Sequence, residues 1–471
     1  MPPIRQIYLL SPRDLSPETI AVTFAKTSRS PLSFREIAAE LSDEQSAQFH
    51  EKWVVGYGHA SVAEHAILHI AFENVSRLAI ECIESNRLAS YTEKSTRYQK
   101  WPLDAFYTPT NIATSQHAPQ YKHTCTHLFK TYDAVLEPLK QVIITQHPQR
   151  PDETNTRWQA RIRAKYIDAA RYLLPSSALA NVGMTANARS FAHAIRKMLS
   201  HELDEVRQIG TEVKTVALNE TPTLVKYTNP IAYTHPPREI GTPIPMEPGQ
   251  DWLELVDYTR NGEEAFLAAY LYSSSQSSYS NTLITAQSLP SEDQSKLTET
   301  ALGNLQPHEI PLRELEHVHY TFDALMDQGA YFEVKRHRMM TQTPQPLTTH
   351  LGYATPRLFE DANLIKTYNH AMNLAAETYQ TIASTFPEEA SYIVPNGYNR
   401  RLLMTMNLRE AFHFCELRSA HNAHFAVRRL AIRMRDMISQ VHPRLAQFMR
   451  WESRPDWGTI EKEHFASTYL P

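Results

Sequence analysis

Along this chain the spacing of apolar residues changes period twice, in the same order each time. Leu68, Ile70 and Phe72 alternate with polar positions, which predicts a strand with one buried face. Val75, Leu78, Ala79, Cys82 and Ile83 then recur at helical spacing and predict a helix that runs into Ser85, Asn86 and Arg87. Further along, Val318, Tyr320 and Phe322 alternate in the same way, and the helix expected after them runs into Arg336, His337 and Arg338. Phe425, Leu430, Met434 and Ile438 predict a later helix.

The repetition extends beyond these elements. Residues 21–46 have a counterpart in 268–295, residues 64–90 in 316–341, and residues 171–191 in 391–412, always in the same order. The stretch 226–250 is proline-rich and weakly periodic, and it reads as a linker. The expected architecture is therefore two homologous mixed α/β (α+β) domains, residues 1–225 and 251–471. The repeats are too long for a solenoid.

Composition narrows the function. A net charge of −4 on 471 residues gives no global attraction to nucleic acid or to a membrane surface. No apolar run reaches the roughly 18 residues that a membrane span requires. The apolar stretch near the N-terminus is too short for a signal peptide. Three widely spaced cysteines, Cys82, Cys125 and Cys415, exclude a disulfide framework and a cysteine-based zinc site, and they suit a reducing cytoplasm. Only 12 glycines accompany 30 prolines, so anions would be held by side chains rather than by glycine-rich backbone loops.

Several stretches carry candidate chemistry. In RLASYTEKSTRY, residues 87–98, hydroxyls surround Glu93 and end on Arg97; such a loop can grip a phosphate, although a solvated Ser/Thr-rich loop has the same composition. GYGHAS, residues 56–61, lacks the last glycine and the βαβ context of a dinucleotide fingerprint. His421 and His424, with His413 or Cys415, could bind a metal, but a helix face around a nucleotide or subunit contact is the simpler reading, and no metal is expected. RRLAIRMRDM, residues 428–437, reads as a solvated basic helix face and not as an RNA footprint.

The cluster at Arg336, His337 and Arg338 resembles part of the signature R-H-R-x-x-S-x-x-x-x-S-x-R of the flavin-dependent thymidylate synthases. Each half keeps what the other lacks. The first half has Ser85, Asn86 and Arg87 in place of the leading triplet but retains Ser90, Ser95 and Arg97. The second half has the triplet, then Thr341, with Pro346 and Thr348 where the second Ser and last Arg belong. The family's G-H-x-x-x-x-E-H stretch matches Gly58-His59 to Glu64-His65, and only Glu316-His317 of it survives in the second half. A-R-x-x-L-P matches Ala170-Arg171 to Leu174-Pro175; the second half has Ser391 in the arginine's place. The N-x-R motif is Asn187 and Arg189 in one half, Asn407 and Arg409 in the other, with a late arginine kept only as Arg418; Met198 replaces it in the first half. Glu333 stands where the family usually has Gln, and a carboxylate there calls for a partner such as Lys335 or Arg336.

The resemblance implies reductive methylation of dUMP to dTMP with FAD, methylenetetrahydrofolate and NADPH, in the cytoplasm. It implies two tandem domains of that family's fold, and a homodimer equivalent to the family's homotetramer, with no nucleic acid or membrane partner. Carried over residue by residue, Arg87, Ser90, Glu93, Lys94, Ser95, Thr96, Arg97, Arg171 and Arg336 would bind the nucleotide. His59, Ser61, Glu64, Asn187, Arg189, Arg336, His337, Arg338, Asn407 and Arg409 would bind cofactor, and Arg418 would act catalytically beside the uracil. The complementary losses imply one composite site per chain, with phosphate-side residues from the first half and flavin-side and base-side residues from the second. The altered second loop and Glu333 keep open an alternative: a relative that binds flavin or nucleotide without making thymidylate, or that modifies another pyrimidine nucleotide.

Overall fold

A computed structural model of the chain describes residues 6–28, 30–56, 59–95, 101–231, 251–306 and 309–470. The described residues fold into two compact units. One draws on the described residues within Met1–Ser95, Ala105–Ala118 and Ser177–Thr242, the other on those within Thr96–Asp104, Pro119–Ser176 and Pro243–Pro471. This partition does not follow the two sequence halves. Most of the long helix Ala118–Gln146 and all of Asn155–Ala170, both from the first half, fold with the second unit.

The first unit is built on an antiparallel sheet of β1 (Ile67–Ser76), β2 (Ala89–Glu93) and β3 (Leu179–Asn187), in the order β1-β3-β2. Leu68, Ile70 and Phe72 are buried, as their alternation predicts, and Ile70 and Phe72 lie opposite Met184 and Val182. Val75, expected on the following helix, belongs to the strand; the helix is Arg77–Ile83. Ser76 stops the strand and caps that helix, accepting from the Ala79 N–H at 2.9 Å. The start of the expected linker packs onto this unit, with Thr228 buried and Lys226 paired with Glu51 at 2.8 Å; residues 232–250 lie outside the described residues.

The second unit repeats the plan with an added edge. Its sheet contains β4 (Leu253–Tyr258), β5 (His319–Asp327), β6 (Thr341–Pro344) and β8 (Asn399–Asn407), in the order β4-β5-β8-β6. A separate pair joins β7 (Tyr353–Pro356) to β9 (Phe465–Leu470). Thr321 faces Thr405 across β5 and β8, as His69 faces Thr185 across β1 and β3. The two copies of the A-R-x-x-L-P segment meet in this unit. Pro175 and Pro395 form an antiparallel bridge, the Ser176 N–H donates to Val394 O at 3.0 Å, and the Asn396 N–H donates to Leu174 O at 3.0 Å. Close approach requires a glycine beside the bridge: a Cβ on Gly397 would lie 2.5 Å from the Tyr368 hydroxyl.

The predicted helix Phe425–Val441 is present, but its basic residues are not a solvated face. Arg428 and Arg429 are buried; Arg428 Nε donates to Ser419 O at 3.0 Å, and Arg429 pairs with Glu461 at 2.8 Å. Arg433 pairs with Asp251 and stacks on Trp252 and Trp457. Aromatic faces and carboxylates from distant segments compensate the desolvation of these guanidiniums, and the pattern of one helix cannot reveal them.

Candidate functional site

The site grows from the end of one short helix. Asp327 caps Gln328–Val334, accepting from the Ala330 N–H at 2.8 Å. The helix stops at Val334, so the cationic run lies in the turn beyond it and not in a helical last turn. The turn sorts the run by burial: His337 and Lys335 are buried, Arg336 is exposed and Arg338 half-buried. Gln342 on β6 fixes the turn, its amide donating to Val334 O at 3.2 Å and to His337 O at 2.9 Å.

A second helix supplies the rest. Asn407 caps Leu408–Ser419 by accepting from the Glu410 N–H at 2.9 Å, which gives the N-x-R asparagine a structural task. Glu410, Phe414 and Arg418 follow at intervals of four residues and present one face. His337 fits against that face. Its Nδ1 is 3.0 Å from Glu410 Oε1, its ring meets Phe414 edge-on at 4.8 Å, and its Nε2 is 2.9 Å from Arg418 Nε. Arg418 can only donate, so Nε2 must carry a lone pair and the imidazole proton must sit on Nδ1, donated to Glu410. Burial pushes the His337 pKa down, with Arg418 adding to the effect and Glu410 opposing it, in keeping with a neutral ring.

Among the described residues, Arg418 is held at three points. Besides His337, its Nη1 donates to Glu333 Oε2 at 2.9 Å and its Nη2 to Glu333 O at 3.1 Å. The other carboxylate oxygen of Glu333 lies 3.9 Å from Nη1 of Arg171, a charge contact too long for a hydrogen bond. Arg171 itself is buried, also within 3.9 Å of Asp168, and its backbone oxygen accepts from Asn396 Nδ2 at 3.0 Å. Glu333 thus meets Arg418 and Arg171 rather than the expected Lys335 or Arg336. An arginine from the first half's motif and one from the second half's share a single carboxylate within one compact unit.

Other expected site residues have different surroundings. Glu93 forms an ion pair with Arg77 at 2.5 Å, their side chains only 2% and 5% exposed, so its carboxylate faces inward. Arg87 and Ser90 are exposed, and Lys94 and Ser95 are half-buried; the Lys94 N–H donates to Asn181 O at 2.8 Å. Thr96 and Arg97 lie outside the described residues. His59 and Ser61 are exposed. Asn187 caps Ala188–Leu199, accepting from the Ser190 N–H at 2.8 Å, and Arg189 pairs with Glu64. Arg409 pairs with Glu316 at 2.6 Å in the same arrangement. The N-x-R and E-H motifs are therefore one structural clamp, made once in each unit. The loop after β6 is packed rather than open: Leu347 is buried, Leu347 O accepts from Ser391 Oγ at 2.9 Å, and Gln345 O accepts from Arg400 Nε at 2.5 Å.

Among the described residues no group of His, Cys, Asp or Glu is arranged to hold a metal ion. His424 is a buried helix cap, accepting from the Ala426 N–H at 3.3 Å; His421 pairs with Glu452 at 2.8 Å, and the Cys415 thiol faces Ala431 O at 3.5 Å. The residue that sequence reasoning missed is Glu410. Its signal was its place two turns before Arg418 on the same helix face, which passes for an ordinary acidic first turn. No helix among the described residues is long and apolar enough to cross a membrane.

The sequence profile of the family described as thymidylate synthase complementing protein matches residues 11–223 and 254–444. A UPF0159 protein of Chlamydia muridarum is 30% identical over 90% of this chain and 85% of its own length. A UPF0159 protein of Thermoplasma acidophilum is 27% identical over 89% of this chain and 91% of its own. A flavin-dependent thymidylate synthase of Clostridium tetani is 27% identical over 46% of this chain and 83% of its own, a single copy of the repeated unit.

Proposed function

The chain belongs to the thymidylate synthase complementing protein family, and on that premise we propose that it methylates dUMP to dTMP, using FAD, methylenetetrahydrofolate and NADPH. One observation carries this reading: Arg171, the nucleotide-side arginine of the first half, and Arg418, the base-side arginine of the second, converge on Glu333 in one unit, with the flavin-side His337 held against Arg418.

In this reading Arg336, exposed, and Arg338, half-buried, on a turn whose backbone is fixed by Gln342, would hold the diphosphate of a flavin dinucleotide, which guanidinium forks suit. The chemistry such a flavin would supply, when bound and reduced, is the hydride that completes the new methyl group. Arg171 holds the nucleotide phosphate, remote from the reacting carbon, and so contributes orientation. Arg418 presents a fixed positive charge to the pyrimidine and stabilises negative charge that develops there when C5 becomes nucleophilic. Neutral His337 keeps Arg418 in place by accepting from its Nε, and Glu410 keeps His337 in the required tautomer. Two chains would supply four copies of the fold, so we propose a homodimer.

The test is direct. Purified protein incubated with FAD should acquire a flavin visible spectrum and should form dTMP from dUMP with both co-substrates present. Protein that stays colourless after reconstitution refutes the reading. A second reading is favoured by the Glu333 carboxylate itself, which neutralises Arg418 and touches Arg171. It makes the chain a binder of flavin or nucleotide, or an enzyme for another pyrimidine nucleotide. Growth of a thymidine auxotroph on this chain without thymidine excludes it.

A further inference from the structure

Glu333 raises a question that the reaction leaves unanswered: what does a carboxylate do between two arginines assigned to an anionic substrate? The contacts differ in kind. Among the described residues, Arg418 donates to two neutral acceptors, His337 Nε2 at 2.9 Å and Glu333 O at 3.1 Å, and to one charged acceptor, Glu333 Oε2 at 2.9 Å. If the carboxylate swings away, the two neutral bonds still hold the guanidinium in its present direction. At Arg171 the carboxylate is 3.9 Å away and makes no hydrogen bond, so leaving that arginine gives up only a charge contact. The Glu333 side chain is 12% exposed, at the rim of the buried chain that runs through Arg418, His337 and Glu410. The first copy has Cys82 at this position and Met198 in place of Arg418, so carboxylate and arginine occur together in the second copy and are absent together from the first.

We propose that Glu333 is a built-in counter-anion, displaced by the phosphate of a nucleoside monophosphate, that makes the site select ligands by charge. Resting on the nucleotide-binding role assigned above, it acts as follows. Without ligand, the carboxylate pairs with Arg418 and joins Asp168 in balancing Arg171, among mostly buried side chains where unpaired charges would be costly. A ligand must bring enough negative charge to replace a carboxylate before it can engage Arg171. A nucleoside cannot do so, and a monophosphate can. The residue is thus a specificity-determining group, and its effect is on binding.

Isothermal titration of the full-length chain, without flavin or folate, tests this with three probes: dUMP, inorganic phosphate and deoxyuridine. Glu333→Gln removes the charge but keeps an oxygen for Arg418 Nη1. It should tighten dUMP and phosphate by about tenfold, since removing one negative charge a few ångströms from an anion changes binding by at least that order. Deoxyuridine should be unaffected. Unchanged or weaker phosphate and dUMP binding overturns the proposal, and so does equal tightening of all three probes, which would mean a general loosening around residue 333. Glu333→Ala keeps both neutral anchors of Arg418 and gives the same readout if the glutamine variant does not fold. No turnover is needed, so a protein that fails to make dTMP leaves this test intact, and an active enzyme with unchanged Glu333→Gln affinities sinks this inference alone.

Discussion

The two helix-end turns of the molecule, residues 82–91 and 333–342, share a frame and differ in what they carry. In the first unit the Tyr91 hydroxyl donates to Ile83 O at 3.0 Å and to Asn86 O at 3.2 Å. In the second, Gln342 donates to the equivalent carbonyls of Val334 and His337. The backbone turn is thus conserved between copies by unrelated side chains. Where the first unit has Cys82, Asn86, Ser190 and Met198, the second has Glu333, His337, Glu410 and Arg418. Met198 is buried and packs against Gly210, and the Asn86 amide simply donates to Ile83 O at 2.9 Å. A buried chain of charged and polar groups adds little to stability compared with good apolar packing. Its retention at one turn only is what a division of labour produces, in which the second copy's turn keeps the flavin-side and base-side groups and the first copy's turn keeps packing.

Exchanging residues between the copies sharpens that contrast. The largest effect should come from Arg418→Met, which imports the first copy's residue: dTMP formation should fall by roughly two to three orders of magnitude, with a circular dichroism spectrum like that of the parent. Retained turnover would deny Arg418 its role. On the stability side, Arg77→Met in the first unit leaves the Glu93 carboxylate buried without that partner and should cost about 3–5 kcal/mol in denaturant unfolding. Acid should act more on the second unit. Burial, reinforced by Lys165, pushes His464 and His147 down to about 4. Both are neutral when folded but protonate in the unfolded chain below its ordinary value of about 6.5. Stability should therefore fall as pH drops from about 6.5 to about 4, with roughly 3 kcal/mol traceable to His464. His464→Phe, which keeps the stack on Phe425 at 4.9 Å, should flatten that slope when unfolding midpoints are measured against pH. The smallest effect belongs to Glu410→Ser. It strands the His337 Nδ1 proton and should cost about 1–3 kcal/mol. The fourfold exchange Glu333→Cys, His337→Asn, Glu410→Ser and Arg418→Met should be inactive and cost less than the sum of the four single changes, because the chain leaves together and only the charge contact with Arg171 is lost.

Much of this was legible in the sequence because it depends on local periodicity. The alternation at Leu68, Ile70 and Phe72 found β1, and the same alternation at Val318, Tyr320 and Phe322 found β5. The duplication followed from segment order, and the resemblance singled out Arg171, His337 and Arg418. What escaped depends on long-range contacts. Nothing local to Glu333 points to Arg171, which lies 162 positions away in the chain and is brought close by the Pro175 to Pro395 bridge. Glu410 looked like a helix-start residue until His337 was seen against it. The arginines of Phe425–Val441 looked solvated because Glu461, Asp251 and Trp252 come from other segments.

At the two helix-end turns, only the second copy keeps the flavin-side and base-side groups, while the first copy contributes Arg171 from elsewhere in its sequence. Titration of the apoprotein with FAD, followed by the flavin absorbance, tests it most directly. One flavin bound per chain is the predicted result. Two equal and independent flavin sites per chain would contradict it.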